Sequence, residues 1–570
     1  MRLCLLHTSG LQSMGGTMSG FRWIHPDRIF FGGQIITMDK SFPLAEAVAT
    51  KWDRIAAVGS NQEILNLAGQ DTERIDLAGK TLLPGFIEPH NHFSVAGISS
   101  LLYANLQSPP LGAITKIKDL IEVLREKASR ALKGEWICGR GYDDTLISEQ
   151  RHPTREDLDE VSKENPVWII HTSGHLSVAN SKALEISGIT RDTPQPPGGM
   201  IRIDPKTNQP DGVLEEMPAQ MLVGKWIPPL TMEQRLEGLT VAAQQFLQVG
   251  VTSSYDAGVI FPRGDRTEIV AYQKSIAQGN LPIRITMMVG VDFLLSCGGD
   301  GPAFLTNFGD SRLKIGPGKI IVDGSIQGYT GWLTKPYHTP FKGDAGYRGY
   351  PVTPPNRLNS MVSKAHKEGI QVAAHGNGDA AIDSILEAYR LAQKEFTRPD
   401  ARHRIEHCQM VREDQLDTIA ELGVSPSFFV SHTFYWGDRH KSIFIGPERG
   451  RRISPLRSAQ KRGIRFSIHS DCPVTPASPL FCVFAAVNRI TRQGEILGPE
   501  YRLTVEEALR AVTIDAAWQN FEEEIKGSIQ PGKLADFVIL GENPLAVDPK
   551  RIREIKIAET IVGGKTVYRA

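Results

Sequence analysis

The stretch Leu82-Leu83-Pro84-Gly85-Phe86-Ile87-Glu88-Pro89-His90-Asn91-His92 ends an apolar run with two histidines one residue apart. In a strand the side chains alternate, so His90 and His92 face the same way. Two neighbouring imidazoles at a strand end suit a divalent cation such as zinc. Further candidates stand at the ends of later apolar runs. Lys319 begins Lys319–Asp323, His375 ends Ile370–His375, His407 ends Arg402–His407, and Asp471 ends Ile464–Asp471. Any one of these residues alone reads as a hydrogen-bonded core histidine, a solvated lysine or a turn cap. Together, four histidines and an aspartate at strand ends form a metal-ligand set. No GxSxG elbow is present, which disfavours a serine hydrolase.

Something must bring these positions together. Eight strand-like runs are spaced through the middle of the chain: Gly85–His92, Gly250–Asp256, Pro282–Gly290, Lys319–Asp323, Ile370–His375, Arg402–His407, Gly423–Phe428 and Ile464–Asp471. Helical periodicity follows several of them, as in Ile382, Ile385, Leu386 and Tyr389. Repeated strand–helix alternation points to an α/β fold, a TIM-like (β/α)8 barrel whose active site sits at the C-terminal strand ends. A doubly wound open sheet is the runner-up, but the first βα turn has no Gly-rich phosphate loop.

The gap between the first two strands is too long for a simple crossover and predicts an inserted α+β subdomain. Short β-rich runs at both chain ends predict one small antiparallel β-sandwich domain. The expected division is a disordered leader (1–22), the N-terminal part of the β-sandwich (23–84), the first barrel strand (85–98), the insertion (99–239), the rest of the barrel (240–525) and the C-terminal part of the β-sandwich (526–570).

The chain has 570 residues and a formal net charge of zero, with no basic run of the kind that tracks phosphates, which argues against nucleic acid as a partner. No stretch is long and apolar enough to span a bilayer. Six cysteines without a CxxC pair read as reduced thiols in a cytoplasmic protein. A small-molecule substrate is the expected partner; a homo-oligomer is compatible with all of this.

With these residues in view the chain resembles the amidohydrolase superfamily of metal-dependent hydrolases. Within it the similarity is to the branch of N-substituted formamide deformylases and exoenzyme-regulator-like proteins. Gly139-Arg140-Gly141-Tyr142-Asp143, His171-Thr172-Ser173-Gly174-His175, Asp211-Gly212, Asp323-Gly324-Ser325, Lys335-Pro336-Tyr337 and Gly527–Asp536 also carry the resemblance. It implies two divalent metals, zinc first. His90, His92 and Asp471 would bind one and His375 and His407 the other, with Lys319 bridging as an N6-carboxylysine. A mononuclear site with Lys319 solvated or paired to Asp323 is the alternative. Glu88-Pro89 and Pro426 depart from the family's usual residues, which bears on specificity rather than on the ligands.

The implied reaction is attack of a metal-bridging hydroxide on the carbonyl of an amide or N-formyl group, with Asp471 as general base and then acid. His175 is expected to face the pocket. Tyr329, Trp332 and His432 lie in aromatic loops after the fourth and seventh strands, expected as walls for a hydrophobic or aryl-bearing substrate. A deaminase or esterase on the same scaffold, and a non-catalytic regulator that keeps the fold, are the competing functions.

Overall fold

The computed structural model describes residues 25–260, 266–296 and 304–570; the leader expected at 1–22 lies outside them. Eight parallel strands form one continuous sheet. They are β1 (Phe86–Asn91), β2 (Val251–Val259), β3 (Arg284–Gly290), β4 (Leu313–Ile321), β5 (Val372–Gly376), β6 (Arg404–His407), β7 (Ser425–Phe428) and β8 (Ser467–Ile468). Each pairs with the next in sequence order. They make a nearly closed TIM-like barrel wrapped by helices such as Asp379–Glu395 and Glu413–Leu422.

No strand ladder joins β8 to β1. Side chain and loop bridge this seam instead: Ser470 N–H donates to Glu88 Oε1 at 2.9 Å and His92 N–H to the Cys472 carbonyl at 2.7 Å. Burial pushes the Glu88 carboxyl up to about 8. Glu88, at one of the positions that depart from the family pattern, therefore serves the seam as a neutral carboxyl at neutral pH.

Lys319 requires a correction. It lies near the C-terminal end of β4, not at its start, because the strand runs back to Leu313. Gly316-Pro317-Gly318 reads as a turn in the sequence but is extended here. A Cβ on Gly316 would meet Thr286 Cγ2 at 2.5 Å, and one on Gly318 would meet Val291 Cγ2 at 2.6 Å. The glycines let β4 lie close to its neighbours.

The chain ends build two sheets. One has six strands and mixes Thr81–Pro84, Gln34–Ile36 and Leu44–Ala45 with Phe537–Leu540, Ile557–Val562 and Lys565–Arg569; the other has four, all from the N-terminal part. Phe30, Ile35, Val48, Leu82, Phe537 and Ile561 form the apolar core of this domain. The domain is not wholly antiparallel as expected: Gln34–Ile36 pairs in parallel with Thr81–Pro84, and Arg28–Phe31 with Glu73–Asp76. Buried Arg284 of β3 grips Asp536 at 2.6 and 2.9 Å, tying barrel to β-domain.

Between Ala104 and Glu215 a separate six-stranded sheet forms, with Ile137–Tyr142, Val167–His171 and Leu176–Ala179 at its centre. Helices Phe93–Leu102 and Met232–Leu247 flank it in sequence. They touch where a Cβ on Gly97 would stand 1.8 Å from the Gly238 carbonyl oxygen. Two glycines thus bring entry and exit of the insertion together and hold it over the barrel mouth.

Candidate metal centre

All six expected ligands gather at the C-terminal end of the barrel. His90 ends in a buried position on β1, and His92 follows that strand directly. His90 Nε2 lies 3.4 Å and His92 Nε2 3.5 Å from Asp471 Oδ1. Lys319 Nζ is 3.4 Å from His90 Nε2. The His375 and His407 rings are 4.5 Å apart, and the His90 and His407 rings 4.9 Å. One donor atom each from His90, His407 and Asp471 falls within 4.8 Å of the others. Asp471 and His407 adopt positive φ, +56° and +67°, conformations that cost energy and turn both side chains out of strand alternation.

The donor set fits a divalent cation. Asp471 Oδ1, His375 Nδ1 and His407 Nδ1 are buried without a hydrogen-bond partner. Each such atom costs about 1–3 kcal/mol when left unsatisfied, a cost that a cation removes. Burial also holds His90, His92, His375 and His407 well below the usual imidazole range, so they are neutral donors. Burial lowers the Lys319 amine to about 8, against the opposing pull of Glu406 and Asp471. Burial raises Asp471 to about 7, opposed by Lys319 and His175.

A second layer orients this set, and the sequence reading missed it. His90 Nδ1 hydrogen-bonds Glu406, which leaves Nε2 free to face the centre. Glu406 is held by Arg404 through bonds of 2.7 and 3.0 Å. Asp323 Oδ1 stands 3.2 Å from His375 Nδ1 without hydrogen-bonding it. Its carboxylate accepts the N–H groups of Asn377, Gly378 and Trp332 at 3.0, 2.8 and 2.9 Å. His469 packs its ring 4.8 Å from that of His90, with both nitrogens unpartnered. A charge pair two residues apart on a buried strand, Arg404 and Glu406, was the available signal.

A cavity of about 170 Å³ opens onto the centre, lined by His92, Arg140, His175, Glu216, Lys319, His375, His407 and Asp471 among others. His175, from the insertion, lines this cavity 2.8 Å from Glu216. Burial pulls its pKa down, but the Glu216 carboxylate outweighs this with other nearby acids and raises it.

Tyr329, Trp332 and His432 do not line this cavity. Tyr329 stacks instead on Phe341 at 5.0 Å and packs with Tyr337 and Phe444 in a cluster of loop aromatics. Trp332 gives its backbone N–H to Asp323, and the His432 ring packs 3.8 Å from that of Phe429. The loops satisfy their apolar groups among themselves.

Asp143, Asp144 and His171 form another cluster of donor atoms, within the insertion. Asp143 there receives Arg439 at 2.7 Å and Trp436 Nε1 at 3.1 Å. These bonds fasten the insertion to the segment after β7.

The model for the amidohydrolase family matches residues 73–568. An N-substituted formamide deformylase from Arthrobacter pascens is 30% identical over 549 residues, covering 95% of this chain and 98% of its own. The Arabidopsis thaliana protein LONG AFTER FAR-RED 3 is 30% identical, covering 95% of this chain and 91% of its own. A crystal structure of an uncharacterized metal-dependent hydrolase from Pyrococcus horikoshii is 26% identical with a TM-score of 0.70, covering 92% of this chain and 99% of the other.

Proposed function

The chain belongs to the amidohydrolase family, and on that premise we propose that it hydrolyses the carbon–nitrogen bond of a small amide or N-formyl compound. The family and the similar formamide deformylase support a hydrolase of non-peptide C–N bonds. The observation that carries the reading is the convergence of His90, His407 and Asp471 donor atoms within 4.8 Å beside a cavity that His407 and Asp471 line.

His90, His92 and Asp471 would hold one divalent ion, zinc first, and His375 and His407 a second. Lys319 would lie between them as a carbamate. Its amine, lowered to about 8 by burial, is neutral in about a tenth of molecules at pH 7, far more than an ordinary lysine. The neutral amine adds to carbon dioxide and releases one proton, which turns a cationic side chain into the anion that two neighbouring cations need. Bound there, a divalent metal supplies a Lewis acid and an acidified water near neutral pH.

The protein's own groups do the rest. Asp471, raised to about 7 by burial, takes a proton from the attacking water. It then delivers that proton to the leaving nitrogen, so that the amine departs neutral. His175, its pKa raised by Glu216 against burial, donates a hydrogen bond to the carbonyl oxygen as negative charge develops on it. The net reaction consumes one amide and one water and yields one carboxylic acid and one amine.

No helix among the described residues is long and apolar enough to cross a membrane. Cys138, Cys408, Cys472 and Cys482 are free and buried, which fits a reducing compartment such as the cytoplasm.

A panel of N-formyl and N-acyl amines, assayed on zinc-reconstituted protein, tests the function. Metal-dependent amine release is expected. Ester or amidine turnover without amide hydrolysis would overturn the assignment.

A further inference from the structure

The chemistry above leaves Arg140 unused. Other buried arginines have protein partners: Arg202 pairs with Glu215, Arg284 with Asp536 and Arg404 with Glu406, and Arg489 donates to the carbonyls of Leu497, Ser454 and Ile453. Among the described residues the half-buried Arg140 guanidinium makes no hydrogen bond or ion pair within 4.0 Å. It lines the 170 Å³ cavity at the metal centre and also a neighbouring one of about 470 Å³. Ser99, Tyr103, Asn105, Gln107, Thr172 and Gln245 give the larger cavity hydroxyls and amides.

The local backbone aims Arg140 there. Its strand, Ile137–Tyr142, slips register against Val167–His171 between Arg140 and Tyr142. Gly141 at the slip has φ +104°, a conformation that L side chains rarely adopt. Such a bulge redirects the neighbouring side chain. Gly174, with φ +77°, keeps the guanidinium clear, since a Cβ there would stand 3.3 Å from Arg140 Nη2. A charged fork held at a cavity junction without a protein partner is matched by a carboxylate, which takes two parallel N–H bonds.

We propose that Arg140 binds the carboxylate of an anionic substrate, so that the enzyme prefers N-formyl or N-acyl amino acids to neutral amides. The acid group would occupy the larger cavity while the scissile bond lies beside Asp471. This deepens the C–N hydrolase reading and rests on it.

The test compares N-formylphenylalanine with N-formyl-2-phenylethylamine, which differ by the carboxylate alone. Wild-type metal-loaded enzyme should favour the acid in kcat/KM. Arg140→Met should cut the acid-to-neutral ratio by about 10–100-fold, chiefly through KM for the acid. Arg140→Lys, which keeps the charge but not the fork, should fall between. A ratio unchanged within about threefold in Arg140→Met, or a wild type that favours the neutral compound, overturns the proposal. If wild-type enzyme cleaves neither compound, the C–N reading fails separately. Calorimetric titration of the metal-loaded protein with 3-phenylpropanoate then decides for Arg140. Binding weakened about tenfold or more in Arg140→Met supports the role, and equal binding refutes it, because a carboxylate held by the metal alone would not sense Arg140.

Discussion

Glu406→Gln is the perturbation that probes the orienting layer most sharply. Glu406 is fully buried, accepts the His90 Nδ1 proton and pairs with Arg404 at 2.7 and 3.0 Å. Glutamine keeps the shape but loses the charge, and its amide N–H must face either His90 Nδ1–H or the guanidinium, donor against donor. Arg404 retains the Pro89 carbonyl at 2.9 Å and Asn520 Oδ1 at 3.2 Å, but its charge becomes uncompensated. Breaking a buried pair in this way costs about 3–5 kcal/mol. His90 also loses the partner that keeps Nε2 aimed at the centre, which should weaken metal binding by about 10–100-fold. Glu406→Asp separates the two effects: it keeps the charge beside Arg404 but falls short of His90, so metal affinity should drop with a smaller loss of stability. Chelator competition reads the affinity, and thermal unfolding with and without metal reads the stability. If Glu406→Gln binds metal within about twofold of wild type and melts with it, the reasoning fails.

Asp471→Asn should lower kcat by about 10²–10⁴-fold with the fold retained, as expected for loss of a proton-transfer group; near-normal turnover in steady-state kinetics contradicts that role. Metal-free protein should lose stability in acid. His90, His92, His375, His407, His432 and His469 are all held neutral by burial, so the unfolded chain binds more protons near and below its ordinary imidazole pKa of about 6.5. Their contribution is complete above that value and shrinks as pH falls through it. Glu88, Asp256, Asp323 and Asp471, raised by burial to about 7 or 8, act in the opposite sense but are fewer. Melting temperature after chelation should therefore fall between about pH 6.5 and 5; a rise would refute the balance. Gly141→Ala forces a side chain into φ +104° and within 2.5 Å of Gln107 Cγ. It should cost about 1–3 kcal/mol and reduce the preference for acidic substrates, which denaturant unfolding and the substrate pair measure together.

The barrel was legible because buried parallel strands leave continuous apolar runs at regular spacing, and polar residues ending such runs stand out. Lys319 was assigned to the right strand but the wrong end, since Gly316-Pro317-Gly318 carries turn chemistry inside a strand. Sequence shows that the loop carrying Tyr329 is aromatic but not that Tyr329 packs on Phe341 and Tyr337. The parts played by Glu406 and His469, and the place of Asp323 beside His375 rather than as a partner of Lys319, depend on packing across strands distant in sequence. In the sequence Arg140 is one residue of the motif Gly139-Arg140-Gly141-Tyr142-Asp143. Its role depends on a register slip, and alternation rules assume that no slip occurs.

The central claim is that scattered side chains converge to hold divalent metal for hydrolysis. Elemental analysis of the purified protein, repeated after chelation and reconstitution with amine release followed in parallel, tests it most directly. A stoichiometry approaching two divalent ions per chain is expected, with activity lost on chelation and restored by zinc. Full hydrolytic activity in protein stripped of metal would contradict it.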